Sequence, residues 1–292
     1  MKINILGGTG QLGSRIVEAL LQAGTRPEHL TVSCRNAPRA RRFADLGIEV
    51  RHADLDLPET LAPAFAGTDV LMLIPSMADV EDRIVQHERI LTGAASASVG
   101  RIVLSSFSAA RTDSRFLIAP YLVYAESKLR VSGMDWTILR NGMYLDPLAD
   151  WAPALARQGR LPYPVRQGRV AYISRDDLAR ASAGALMQDG HSGQVYELTG
   201  PEAVSMPQLA AALAAATGAP IVFDCVSEAE FMANCREDGI PDRDSAILAS
   251  MYRAVDHGEC EQVSEHVELL SGAPAETVDK YLRRSIKSPD VR

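Results

Sequence analysis

The sequence predicts an α/β fold: a parallel sheet covered on both faces by helices, with a smaller helical lobe toward the C-terminal end. Three patterns predict it. The chain opens as an apolar strand, a glycine-rich turn and an amphipathic helix. Short β-branched runs then alternate with helical spacing through the first half, and such strand–helix–strand alternation builds parallel sheets. Beyond Asn141 the alternation gives way to a proline-rich stretch and then to mostly helical sequence.

The first strand is Ile3–Leu6. Gly7, Gly10 and Gly13 follow, then a helix over 11–23 in which Ile16, Val17, Leu20 and Leu21 recur at helical spacing. One such glycine permits a sharp turn, one lets backbone approach a pyrophosphate, and one lets helix and strand pack closely. The helix start adds free N–H groups and a positive dipole end. Further strands are expected at 30–34, 48–52, 70–74, 102–104 and 136–139, with helices over 37–46, 58–66, 80–98 and 121–132. Right-handed crossovers wind these units into a doubly wound, Rossmann-type sheet whose ligands lie at the carboxyl ends of the strands.

After Asn141, four prolines (Pro147, Pro153, Pro162, Pro164) break up a segment carrying Trp151, Tyr163 and Tyr172. It reads as a substrate lid or side wall. Residues 171–187 read as a strand leading into a helix, 195–198 as a strand rejoining the sheet, 205–218 as a helix and 221–226 as a strand. The remainder is mostly helical and ends in a polar tail. The expected division is a nucleotide-binding domain over 1–148, its sheet completed from within 168–200, and a substrate lobe over 149–292.

A chain of 292 residues with 47% hydrophobic and 23% charged residues can bury one large core or two smaller ones. Its net charge of −7 argues against wrapping a nucleic-acid backbone. Cys34, Cys225, Cys235 and Cys260 form neither a CxxC pair nor a disulfide framework, which suits reduced thiols in the cytoplasm. No His/Cys cluster has metal-ligand spacing, so no metal is expected. No signal peptide is expected, and the longest apolar runs are too short to span a bilayer.

Charge at the end of the second strand selects between cofactors. An enzyme using the unphosphorylated dinucleotide places Asp or Glu there to hold the ribose hydroxyls. This chain has Arg35 instead, and no acid before Asp45. A guanidinium fork suits a 2′-phosphate through two charge-assisted hydrogen bonds. Arg39, Arg41 and Arg42 add positive potential, although the last two also read as a solvated helix face. Asp54, after the third strand, is placed to reach the adenine region or to cap the next turn.

Tyr124 and Lys128 lie four apart on a helix and so share a face. A phenol can act as general acid toward a carbonyl if an ammonium lowers its pKa, and the lysine can also hold a ribose. Only four lysines (Lys2, Lys128, Lys280, Lys287) stand against twenty-six arginines, and Lys128 alone falls in the middle of the chain. Ammonium and guanidinium are not interchangeable, so a selected role is the sharper reading and skewed codon usage the plainer one. Ser105 and Ser106 end the fifth strand, where a hydroxyl could polarise a substrate carbonyl or simply cap a turn.

The motifs GGTGQLG, LGIEVRHADLDLPETLAPAFAG, VQH at 85–87 and LRNGMY at 139–144, together with Arg35, resemble the NmrA-like, atypical branch of the short-chain dehydrogenase/reductase superfamily. Within that branch the chain is similar to bacterial NADPH-dependent quinone oxidoreductases and triphenylmethane-dye reductases, over nearly its whole length. The resemblance implies that Gly7, Gly8, Thr9, Gly10, Gln11 and Leu12 cradle the pyrophosphate of NADP(H). Arg35, with Asn36 beside it, would read the 2′-phosphate. Pro75, Ser76 and Met77 would line the cofactor, and Gln86, Ser105 and Asn141 would contact it. Lys128 falls on the family's lysine apart from a one-residue difference in downstream spacing. Tyr124 is a departure, since the quinone-reducing relatives generally lack tyrosine there.

The expected activity is therefore hydride transfer from NADPH to a quinone, or to a conjugated or simple carbonyl, of an apolar organic molecule. Tyr124 would donate the proton, Lys128 would lower its pKa, and Ser106 would polarise the acceptor. Tyr144, Trp151 and Tyr172 would wall the substrate pocket. Two other readings stay open: an NADP-binding redox sensor without turnover, and a nucleotide-sugar epimerase or dehydratase. The sequence does not decide between a monomer and a homodimer.

Overall fold

The computed structural model describes residues 1–286, so Lys287 and the polar tail lie outside the described residues. The first half runs β1 (Ile3–Leu6), α1 (Gln11–Gln22), β2 (Leu30–Cys34), α2 (Arg41–Ala44), β3 (Glu49–His52), α3 (Leu61–Phe65) and β4 (Val70–Leu73). It continues as α4 (Val80–Ser96), β5 (Arg101–Phe107), α5 (Ala119–Arg130) and β6 (Asp135–Asn141). Then come α6 (Asp146–Gln158), β7 (Arg160–Tyr163), β8 (Arg169–Val170), α7 (Arg175–Met187), β9 (Gln194–Leu198) and β10 (Val204–Ser205). The chain closes with α8 (Met206–Thr217), β11 (Val222–Cys225), α9 (Glu228–Glu237), α10 (Asp242–Asp256), α11 (His266–Ser271) and α12 (Val278–Ser285).

Seven strands form one parallel sheet in the order β3-β2-β1-β4-β5-β6-β9. This is the expected Rossmann-type α/β fold, with β9 completing the sheet. Strand order reverses between β1 and β4, and the crevice at their carboxyl ends is where such sheets bind ligands.

Alternate residues of each strand serve opposite faces. Ile3, Ile5, Met72, Val103 and Leu139 pack with α1 and α7 on one side. Leu71, Leu73, Leu104 and Ile138 pack with α3, α4 and α5 on the other. This parity decides the direction of every side chain at the strand ends. A third core, built from Leu148, Leu155, Tyr163, Leu209, Phe231, Tyr252 and Tyr281, lies in the lobe.

Two local expectations need correction. The proline-rich stretch is not broken up as its prolines suggest: it contains α6 and β7. Pro147 sits in the first turn of α6, where a missing N–H costs nothing, while Pro153 lies inside the helix. Burial of Leu148, Ala152 and Leu155 on one face outweighs that lost hydrogen bond. Residues 171–174 are not a strand: β8 comes earlier, and Ile173 makes only an isolated bridge to Tyr144. The helices expected over 37–46 and 58–66 each begin as a 3₁₀ turn followed by a short α segment. Among the described residues no helix is long and apolar enough to cross a membrane.

Candidate functional site

The turn after β1 is shaped for a phosphate. Gly7 adopts φ +83°, a left-handed conformation that side chains disfavour. Its N–H donates to the Ser33 carbonyl at 3.0 Å, and its own carbonyl accepts from Gly10 N at 2.9 Å. Gly13 lies so close above the loop that a Cβ there would sit 2.3 Å from the Gly7 carbonyl oxygen. Gly10 caps α1 without a side chain, and no acid occupies the first turn. The first-turn N–H groups and the positive end of the helix are therefore left for an anion. These features fit a dinucleotide pyrophosphate.

Arg35 and Asn36 follow β2 and are exposed on the crevice edge. Arg42 takes the plainer role weighed for it, pairing with Glu18 at 3.2 Å and lying over the Phe43 ring. Asp54 builds a turn, its carboxylate accepting from Asp56 N at 3.0 Å. Beyond β4, Ser76 donates to Gln86 Oε1 at 2.6 Å, and Gln86 Nε2 donates to Asp56 at 3.1 Å. Gln86 thus ties two crevice loops together, and Met77 projects at 78% exposure.

At the ends of β5 and β6, Asn141 Nδ2 donates to Ser105 Oγ at 3.0 Å. Asn141 Oδ1 is buried without a partner among the described residues. That oxygen is an acceptor in need of a donor. Tyr144 OH lies 3.5 Å from Asn141 Nδ2, and the Arg175 guanidinium stacks 4.7 Å from the Tyr144 ring centre. Beside them a cavity of about 480 Å³ is lined by Gln11, Arg15, Asp146, Arg175, Asp176 and Arg284 among others. Its lining is ionic, with Asp146 shared between Arg15 at 3.3 Å and Arg175 at 3.5 Å.

The expected Ser106–Tyr124–Lys128 arrangement is not assembled. Ser106 has the parity of Leu104 and points to the α5 side, where its hydroxyl donates to Glu126 Oε1 at 2.7 Å. Glu126 is buried and also accepts from Arg140 at 2.8 Å and Arg130 at 2.9 Å. Tyr124 and Lys128 do share a face, but it looks at α4: Tyr124 donates to Glu88, and Lys128 Nζ lies 3.0 Å from the same carboxylate. The Glu88 hydrogen bond raises the Tyr124 pKa, the opposite of what a proton donor needs. Of the expected substrate walls, Tyr172 is buried in the lobe core and Trp151 stands at 38% exposure on α6; neither they nor Tyr144 line this cavity, which Tyr144 approaches only through its stacked partner Arg175.

Glu126, Arg140, Arg175, Arg15 and Asp146 were not singled out from the sequence. The one available signal was the Glu126–Arg130 spacing of four. The others meet across 14 to 131 residues of chain.

The profile of the NmrA-like family matches residues 1–282. The chain belongs to the NmrA-like family. Two characterised relatives align over almost all of it. Quinone oxidoreductase 2 of Escherichia coli (strain K12) is 33% identical over 276 residues, 94% of this chain and 96% of the relative. The NAD(P)H azoreductase of Xenophilus azovorans is 30% identical over 281 residues, 96% of each chain. The crystal structure of an NADPH-dependent quinone oxidoreductase from Escherichia coli complexed with NADPH superposes at a TM-score of 0.92. That match has 32% identity and covers 98% of this chain and 100% of the other. This NmrA-like chain therefore shares its fold with a reductase whose NADPH has been seen in place.

Proposed function

We propose that this chain is an NADPH-dependent oxidoreductase that reduces a quinone, or a conjugated or simple carbonyl, of a small organic molecule. The carrying observation is the glycine-rich phosphate cradle at Gly7–Gly13 with Arg35, not an acid, at the end of β2. The named relatives support the same reading. The unpaired cysteines suit a reducing cytoplasm.

NADPH, when bound, supplies the hydride. The first-turn amides of α1 hold its pyrophosphate, and Arg35 with Asn36 takes the 2′-phosphate. Ser105 and the unpaired Asn141 oxygen orient the nicotinamide end, and Tyr144 with Arg175 walls the acceptor. Catalysis rests on bringing donor and acceptor together in a fixed orientation, which alone can supply a large part of a barrier. Solvent then provides the proton to the reduced acceptor.

NADPH and NADH consumption across quinones, enones and ketones tests the reading. NADPH should be preferred, and Arg35→Ala should raise the KM for NADPH by roughly 10- to 100-fold, the value of one or two charge-assisted hydrogen bonds. Wild-type preference for NADH would overturn it. Tyr124→Phe should leave quinone turnover within about twofold, because its hydroxyl serves Glu88. A fall of orders of magnitude in that variant would restore Tyr124 as the acid.

A further inference from the structure

The loop leaving β4 is fastened from the C-terminal lobe, and we propose that Arg243 is a positioning residue that sets NADPH affinity by holding this loop in place. The affinity part rests on the cofactor reading above; the holding part does not.

Arg243 lies in the first turn of α10. Its Nη2 donates to the Met77 carbonyl at 2.9 Å, and its Nε donates to the Asp79 carboxylate. These contacts cross more than 160 residues of sequence and reach the stretch that follows the switch point of the sheet. Asp79 supplies the independent sign that the contact is built. It is the N-cap of α4, and an aspartate there ordinarily accepts an amide from its own first turn. Asp79 makes no such bond and turns its carboxylate to Arg243.

Burial does little to hold this loop, since Met77 and Asp79 are exposed. It depends on polar ties. Ser76 to Gln86, at 2.6 Å, and Arg83 Nε to the Ala78 carbonyl, at 2.7 Å, anchor it on its own side. Arg243 anchors it from across the crevice. The same helix also grips the loop after β5. Ser250 Oγ accepts from Leu117 N at 3.1 Å, and Glu259, just past the helix, accepts from Arg115 N at 2.9 Å. The inner face of α10, through Ala249, Tyr252 and Val255, is packed in the lobe core. α10 and the residues just after it therefore tie both loops at the carboxyl edge of the sheet to the lobe.

An exposed ion pair contributes little to global stability, so the fold should survive its loss. Arg243→Met keeps the side-chain length and removes the donors, while Arg243→Lys keeps one charged donor. Three readouts apply: amide hydrogen exchange over 76–80 in the cofactor-free protein, the NADPH dissociation constant, and the split between KM and kcat. Arg243→Met should speed exchange over 76–80 and leave the amides of Arg115 and Leu117 protected. It should weaken NADPH by about tenfold, the value of one charge-assisted hydrogen bond, with KM rising more than kcat falls. Arg243→Lys should recover part of the affinity. Unchanged exchange over 76–80 overturns the holding role. Faster exchange with an unchanged dissociation constant overturns the link to affinity. If the wild type binds no NADPH, the cofactor reading and the affinity role fall together, while exchange still decides whether Arg243 holds the loop.

Discussion

Replacing Gly13 with alanine is expected to weaken NADPH binding by about 100-fold or more. The new Cβ would lie 2.3 Å from the Gly7 carbonyl oxygen, 2.8 Å from Gly8 Cα and 2.9 Å from the Gly7 carbonyl carbon. All three are backbone atoms of the turn itself, so no flexible side chain can swing aside. Ordinary contact begins near 3.4 Å, and α1 must therefore back away from the loop by roughly an ångström. That shift moves the first-turn amides relative to Gly7 and Gly8, and the anion loses several donors at once. Overpacking of this kind also costs about 1–3 kcal/mol of stability. Ser14→Ala is the control, because its hydroxyl makes only a 3.4 Å contact to the Gln11 carbonyl. Titration calorimetry with NADPH and thermal unfolding separate the two effects. Unaltered affinity in a folded Gly13→Ala protein would remove the pyrophosphate from this turn.

Gly13 was readable in advance because its task is local. Strand, turn and helix follow one another within 22 residues, and the close approach is imposed by neighbours in sequence. The same holds for β1 and β2, whose limits match expectation residue for residue, and for Arg35, which needs only to follow β2. Legibility fails where partners come from distant elements. Tyr124 and Lys128 do share a face, as their spacing requires, but spacing says nothing of which neighbour that face meets. Glu88 on α4 decides it, and nothing within YAESK announces Glu88. Ser106 fails for a different reason. Adjacent residues in a strand point to opposite faces, so Ser105 and Ser106 cannot serve one site, and choosing between them needs the register of the whole sheet. Proline content misled in its own way. Pro147 and Pro153 suggest a broken chain, yet the buried face of α6 gains more from packing than one missing N–H removes.

Glu126→Leu is expected to destabilise the protein by about 3 kcal/mol, with Glu126→Gln costing less because it keeps one of the two acceptor oxygens. Glu126 is 1% exposed and holds Ser106, Arg130 and Arg140 at 2.7, 2.9 and 2.8 Å. Removing it leaves the partly buried Arg140 with one carboxylate, Glu197 at 3.1 Å, and the Ala110 carbonyl at 3.4 Å. That remaining partner, and the access of Arg130 to water, keep the loss at the low end for a broken buried pair. The pH dependence carries a sign. Burial disfavours the charged form of Glu126, but hydrogen bonds from Arg140 and Ser106, with the arginine charges, outweigh it and hold the carboxyl below its ordinary 4.5. A carboxyl depressed by folding stabilises the native state above the unfolded value, and loses that contribution as pH falls through the folded one. Glu197 faces the same guanidinium and is pushed upward mainly by burial, which both proteins share, while the smaller repulsion from Glu126 is lost in the variant and works against the trend in acid. The stability gap between wild type and Glu126→Leu in urea unfolding should therefore be constant from pH 8 down to about 5 and shrink below it. A gap that widens in acid would mean Glu126 is protonated in the native protein and that Ser106, not the arginines, is what it holds.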